Sequence, residues 1–341
     1  MIRLRYYILL LFVFISGFAK SKDSEIDSLK SVLLNSSGGE RFKTLTTVCT
    51  LCRFSDASFA MQSGMEGLAI CKKNKDKPAE VFLQLNVGLL YFDIGKYEKA
   101  LEYFIAAEKE AALISDKRSA GAAMQNIGMV YQTQTFYDKA LVNFNLALEC
   151  FQEMDDKTPL ASVYTSIGAL YYEQGDNEKA LECFLKSLSI NEKLNNEKGI
   201  ADGLNNSAVI YEEMKNYSKA MECHKKSLQL NREQNNLGSI SSSLYNIALI
   251  FVSQNEFDNA IIYIDSATVI AKKINAVVEL KEYYKTLSEI YGKKNDFKSS
   301  LYYYTLFSEL KDTMVNQNRN KLIVEIIFFT IYFRKCFIIF F

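Results

Sequence analysis

An aromatic side chain returns every 40 residues along most of this chain, at Tyr91, Tyr131, Tyr171, Tyr211, Phe251 and Tyr291. Other positions keep the same period. Three residues before each aromatic stands a small residue: Gly88, Gly128, Gly168, Ala208, Ala248 and Ser288. Nine residues after it come Ala100, Ala140, Ala180, Ala220, Ala260 and Ser300, each followed by a large aliphatic, Leu101, Leu141, Leu181, Met221, Ile261 and Leu301. A second large series runs Phe104, Phe144, Phe184, His224, Ile264 and Tyr304, with Ala107, Ala147, Ser187, Ser227 and Ala267 three residues further on. A strict period of this length marks an array of stacked supersecondary units, because one unit alone cannot cover its own apolar face.

Spacing inside the unit is helical. Gly88 and Tyr91 lie three apart, and Ala100, Phe104 and Ala107 lie four and three apart, so each set lines one helical face. Polar turns such as Asp93-Ile94-Gly95-Lys96 and Gln174-Gly175-Asp176 separate the sets, with glycine available for the left-handed conformation that ends a helix. Only two prolines, Pro78 and Pro159, interrupt a chain rich in strong helix formers. The prediction is an all-α protein of antiparallel helix pairs. Small residues let the backbones approach where the helices cross, and aromatics fill the space beside them.

The pattern Asn86-Val87-Gly88-x-x-Tyr91, then Ala100-Leu101-x-x-Phe104-x-x-Ala107, resembles the tetratricopeptide repeat. No tryptophan opens the unit, no proline closes it, and the period is 40 where the usual form has about 34. The extra residues are expected to lengthen the helices and the connecting turns, seen as Ser115-Asp116-Lys117, Asp155-Asp156-Lys157 and Asn195-Asn196-Glu197. The resemblance spans residues 79–318 as six units. Upstream, residues 24–78 read as a capping helix carrying Ile26, Leu29, Val32 and Leu33, then a degenerate unit from Arg41 to Asn74 with Ala60-Met61 and Gly67 in register. The fold implied by the resemblance is a right-handed superhelical solenoid whose first helices line a concave groove.

For function, the resemblance implies a scaffold that holds a protein or an extended peptide. In related proteins, asparagines at one point of the first helix face the groove; here that position carries Asn86, Asn126, Ser166, Asn206, Asn246 and Thr286. An amide offers a donor and an acceptor together, which suits the main chain of an extended peptide. The same amides could instead bond the neighbouring repeat and fix the superhelical pitch, and both readings stay open at this point. Further along the same face the residues vary, as specificity determinants would: Gln132, Tyr172 and Glu212, beside Met129, Ala169, Val209, Leu249 and Val252. Glu212 and Glu213 with Asp202 make the fourth unit acidic, which suits either a basic or amine-bearing segment or a solvated charge cluster.

Other classes find little support. Forty basic residues balance forty acidic ones with no polybasic stripe, so a nucleic-acid partner is not expected. The single histidine, His224, stands where other units carry phenylalanine, which reads as a packed ring. No G-x-S-x-G, G-x-x-x-x-G-K-[ST] or H-E-x-x-H occurs, and neither catalysis nor a cofactor is expected. Seven cysteines fit no disulfide framework. Cys49 and Cys52 form a lone C-x-x-C with no second pair or histidine nearby, so the cysteines read as small packing residues and no metal site is expected.

The ends differ from the array. Arg3 and Arg5, an apolar run from Tyr6 to Ile15 and a small-residue exit at Gly17-Phe18-Ala19 have the parts of a secretory signal over residues 1–19, with cleavage expected after Ala19 and an exported, periplasmic or envelope-associated product. Residues 322–341 are strongly apolar and long enough for a membrane helix, but Arg334 and Lys335 near their middle would each cost about 2.5–3.5 kcal/mol, leaving insertion marginal. Signal, long repeats and apolar segment together are similar to bacterial envelope sensors that work through an intracellular signalling part. The expectation is a protein-binding scaffold or sensory input module, truncated from its effector or acting through a separate membrane signalling protein. The alternative is a structural envelope component that assembles through its convex face or ends.

Overall fold

The computed structural model describes residues 19–313, and among these no strand occurs. The signal reading over residues 1–19, Ala19 apart, and the apolar segment 322–341 lie outside the described residues. The helices are α1 (Ala19–Asn35), α2 (Gly38–Leu51) and α3 (Ala57–Asn74), then α4 (Lys77–Asp93), α5 (Tyr97–Leu113), α6 (Lys117–Thr133), α7 (Tyr137–Glu153), α8 (Lys157–Gln174) and α9 (Asn177–Lys193). They continue with α10 (Glu197–Glu213), α11 (Tyr217–Glu233), α12 (Leu237–Ser253), α13 (Phe257–Lys273), α14 (Val277–Lys293) and a helical stretch over residues 297–313, here α15. From α4 onward the even-numbered helices are the first helices of the repeats and the odd-numbered ones the second.

The turns are regular in a way the sequence hides. A residue with positive φ occurs at every twentieth position from Lys75 through Gly95, Ser115, Thr135, Asp155, Gly175, Asn195, Lys215, Asn235, Asn255 and Asn275 to Asn295. Each 40-residue unit is thus two equal halves, and most helices are 17 residues long, about 25 Å. The expected lengthening of the connecting turns does not occur: helices α5 and α6 are joined by Ile114, Ser115 and Asp116 alone, and the extra residues lie in the helices. Many starts are capped by a side chain at the residue after the left-handed one: Asp76, Asp116, Asn196 and Asn236 each accept from the backbone N–H three residues on.

Two compact units divide the chain, Met1–Glu233 and Gln234–Phe341. Contacts in an array of repeats are mostly between neighbours, so such a division needs no Pro/Gly linker. In the first unit the core runs along the helix pairs. Phe104 is packed with Ile127 and Val130, Phe144 and Phe151 with Leu160, Val163 and Ile167, and Phe184 with Ile210. Around α1–α3 the core is Ile26, Val48, Cys49, Ala60, Leu68 and Cys71 with Leu83 and Val87. In the second unit Leu244, Ile247, Ile250, Ile264, Leu287 and Ile290 are buried.

The glycine of the repeat has a steric reason. A Cβ added at Gly88, Gly128 or Gly168 would lie 2.5, 2.6 or 2.7 Å from the ring of Phe104, Phe144 or Phe184. Later units keep a Cβ at this place and change the ring instead, as Ala208 with His224 and Ala248 with Ile264.

Candidate functional site

The face carrying the groove candidates is the one on which successive first helices meet. Several side chains cross it from residue i to residue i+41, one more than the repeat. Gln125 donates from Nε2 to Ser166 Oγ at 3.1 Å and to Ser162 Oγ at 2.9 Å. Gln132 Nε2 donates to Glu173 Oε1, and Tyr172 OH donates to Glu213 Oε1 at 3.5 Å. In the second unit the Tyr245 and Thr286 hydroxyls lie 2.7 Å apart.

Against this lattice the predicted residues separate into two groups. Asn86 turns back on its own helix, its Nδ2 donating to Phe82 O at 2.8 Å. Ser166 donates to Ser162 O and accepts from Gln125. Gln132 and Tyr172 reach the next repeat, and Glu212 pairs with His224. Asn126 and Asn206, both half-buried, make no side-chain hydrogen bond among the described residues, and Asn246 in the second unit is in the same condition. At this position the bonds between repeats involve Ser166 and Thr286 and none of the asparagines, while three amides make no side-chain hydrogen bond among the described residues.

His224 is packed, as its position implied, but it is also a hydrogen-bonding centre. The ring is fully buried, with Nδ1 3.0 Å from Asn205 Oδ1 and Nε2 2.8 Å from Glu212 Oε1. A polar ring in a phenylalanine site has to find such partners, because an unpaired buried nitrogen costs on the order of 1–3 kcal/mol. Glu212 is consequently turned inward, and the acidic character of this stretch rests on other groups. Glu173, which sequence reasoning missed, is half-buried, and desolvation raises its carboxyl to about 8. Asp202 is also raised by desolvation, opposed by the charge of Lys198. Glu173 has one sequence signal, its distance of 41 residues from Gln132.

Repeat-spaced lysines hold the aromatic series from outside. Lys139, Lys179 and Lys219 lie 5.4, 5.2 and 5.2 Å from the ring centres of Tyr131, Tyr171 and Tyr211, within cation–π range. Burial pushes the thiols of Cys49, Cys71 and Cys183 up to about 11, which makes them poor nucleophiles. Among the described residues no group of His, Cys, Asp or Glu is placed to hold a metal ion, and no helix is long and apolar enough to cross a membrane.

Comparison with known proteins agrees with this architecture. Residues 83–111 and 119–193 match family models described as tetratricopeptide repeat, and residues 160–335 match a model described as soluble NSF attachment protein, SNAP. No curated protein matches the chain. Among solved structures, a Rap protein complexed with competence and sporulation factor is similar with a TM-score of 0.65 at 15% identity, over 85% of this chain and 80% of that one. The Rap conjugation gene regulator of plasmid pLS20, in complex with the Phr* peptide, gives 0.61 at 15% identity over 81% and 75%. The apo quorum sensor NprR from B. thuringiensis gives 0.52 at 20% identity over 86% and 94%. At these identities the likeness is one of fold.

Proposed function

We propose, from the premise that this chain belongs to the tetratricopeptide-repeat family, that it is a non-catalytic scaffold holding a protein or extended peptide on the face shared by its first helices. The observation that carries the reading is the pair Asn126 and Asn206, whose amides make no side-chain hydrogen bond among the described residues on a face where neighbouring polar side chains bond one another. An extended main chain offers both an N–H and a C=O to such an amide. The Rap structures solved with competence and sporulation factor and with the Phr* peptide support this reading by analogy of fold.

A displayed library of extended peptides tests it. Selection on the intact chain, then on Asn126→Ala with Asn206→Ala, should give ligands whose binding drops about tenfold or more while helical circular dichroism is unchanged. Ligands that bind both forms equally would remove the amides from the site. The competing assembly reading has its own observation: Ile105, Val142, Leu146 and Leu185 are exposed on the outer faces of α5, α7 and α9. It requires that changing these four, and not the asparagines, alters self-association.

We further propose that this scaffold works after export, as an envelope-associated input module. The support is the Arg3/Arg5, apolar and Ala19 pattern at the N-terminus. A reporter fused after residue 40 and retained in the cytoplasm would overturn it.

A further inference from the structure

The side of the first helices that carries the amides changes chemistry along the first unit. In α4 it is formed by Phe82, Leu85, Asn86, Leu89, Phe92 and Asp93, which fall within about a third of the helix circumference. Bonds between repeats fix the assignment. Gln125, at the position of Leu85, reaches Ser162 and Ser166 at those of Phe82 and Asn86. Gln132 and Tyr172, at the position of Phe92, reach Glu173 and Glu213 at that of Asp93. Phe82 is 46% exposed and Leu85, Leu89 and Phe92 are half-buried, so the first repeat presents an apolar strip. The second presents Gln125, Asn126 and Gln132, all neutral. Acidic residues enter at Glu173 in α8 and continue with Asp202 and Glu213 in α10, and no lysine or arginine occupies these six positions from α4 to α10. Asp93, the acidic residue of the first repeat, is already paired with Arg53.

We infer that the extended segment held on this side is bipolar, with an apolar residue over α4 and a lysine or arginine over α8 and α10. The inference rests on the peptide-holding reading of the same side and adds the chemistry of the occupant. Packed helices lie about 10 Å apart and an extended chain advances about 3.3 Å per residue, so two or three helix steps separate the two residues by about six to nine positions. Charge complementarity selects the cation. Glu173 is half-buried and accepts from Gln132, and no cation among the described residues opposes the desolvation that raises its carboxyl, whereas Lys198 opposes it at Asp202. A ligand cation within about 6 Å would draw Glu173 back toward the ordinary carboxylate range. Glu213 is exposed and needs no such recovery. An acidic segment would meet repulsion at the same place, and a wholly apolar one would strip water from these carboxylates without replacing it.

Selection of random displayed dodecapeptides on the intact chain tests this. The enriched ligands should pair an apolar residue with a lysine or arginine about six to nine positions away. Glu173→Gln with Glu213→Gln should weaken such a ligand about tenfold or more, and Phe82→Ser should do the same, each with helical circular dichroism unchanged. A further readout needs no variant: raising salt from about 0.1 M to about 1 M should weaken the ligand several-fold on the parent chain. Ligands that need Asn126 and Asn206 but show no excess of basic residues, no salt dependence, or indifference to the two glutamates or to Phe82 would overturn the bipolar partner and leave the scaffold reading standing. Ligands indifferent to the asparagines, or a selection that yields none, would overturn the scaffold reading and this inference with it.

Discussion

Gly128→Ala isolates the contact on which the repeat is built. The new Cβ would lie 2.6 Å from Cδ1 and Cε1 of Phe144 and 3.2 Å from the Ala140 carbonyl oxygen. Alanine gains about 1 kcal/mol of helix propensity over glycine. Overpacking a buried contact costs about 1–3 kcal/mol, and Phe144, with no exposure, has nowhere to retreat, which puts the cost toward the upper end. The net expectation is a loss of about 1–2 kcal/mol, where the same substitution on an exposed helix would be a gain. A second change closes the cycle. Phe144→Ile makes the pair Ala–Ile, as Ala248 and Ile264 already are, so the double variant should show a favourable coupling of about 1 kcal/mol or more. Urea unfolding followed by circular dichroism gives the energies, with equal m-values required because an array of repeats can lose its single transition. A Gly128→Ala protein as stable as its parent, or a coupling below about 0.5 kcal/mol, would refute the argument that the ring imposes the glycine.

Other outcomes follow from the same geometry. Thr135 sits at φ 63 with a β-branched side chain, so Thr135→Gly should stabilise the protein by about 1 kcal/mol in the same urea assay. Asp116→Ala should cost about 1 kcal/mol because its carboxylate caps α6 at Ser119 N, whereas Asp156→Ala, which has no side-chain cap to lose and pairs only with the exposed Arg118, should cost less than about 0.5 kcal/mol. Glu173 keeps its proton to about pH 8 in the folded chain, while the unfolded chain releases it in the ordinary carboxylate range; stability should therefore fall as pH rises between those two values. Glu173→Gln should flatten this part of a Tm-against-pH curve, leaving the two proteins alike near pH 4 and the variant more stable near pH 9.

Much of the fold was legible because its determinants are side-chain sizes at fixed spacing. The aromatic at Tyr91 and its copies, the small residue before it and the alanine after it report helix faces directly, since burial of one face requires the same sizes in every unit. The half-period of 20 residues was not legible. Its marker is a backbone conformation filled by Lys75, Ser115, Thr135 and Asp155 as well as by glycine, so residue identity does not announce it. Placing the extra residues partly in the turns missed that regularity, while the expected lengthening of the helices is what the structure has.

The candidate site divides along the same line. Sequence alone determined that one position of the first helix carries amides at Asn86, Asn126, Asn206 and Asn246, because a repeat places equivalent residues on one face. Only the tertiary structure decided which of them remain available. Asn86 is bonded to Phe82, Gln132 and Tyr172 are drawn to acceptors 41 residues away, and Glu212 is turned inward to His224. The packing of neighbouring first helices brings these partners within reach, and burial raises the carboxyl of Glu173. Composition and period fix what lies on a face; the distance and offset between two helices fix what its polar groups can still bind.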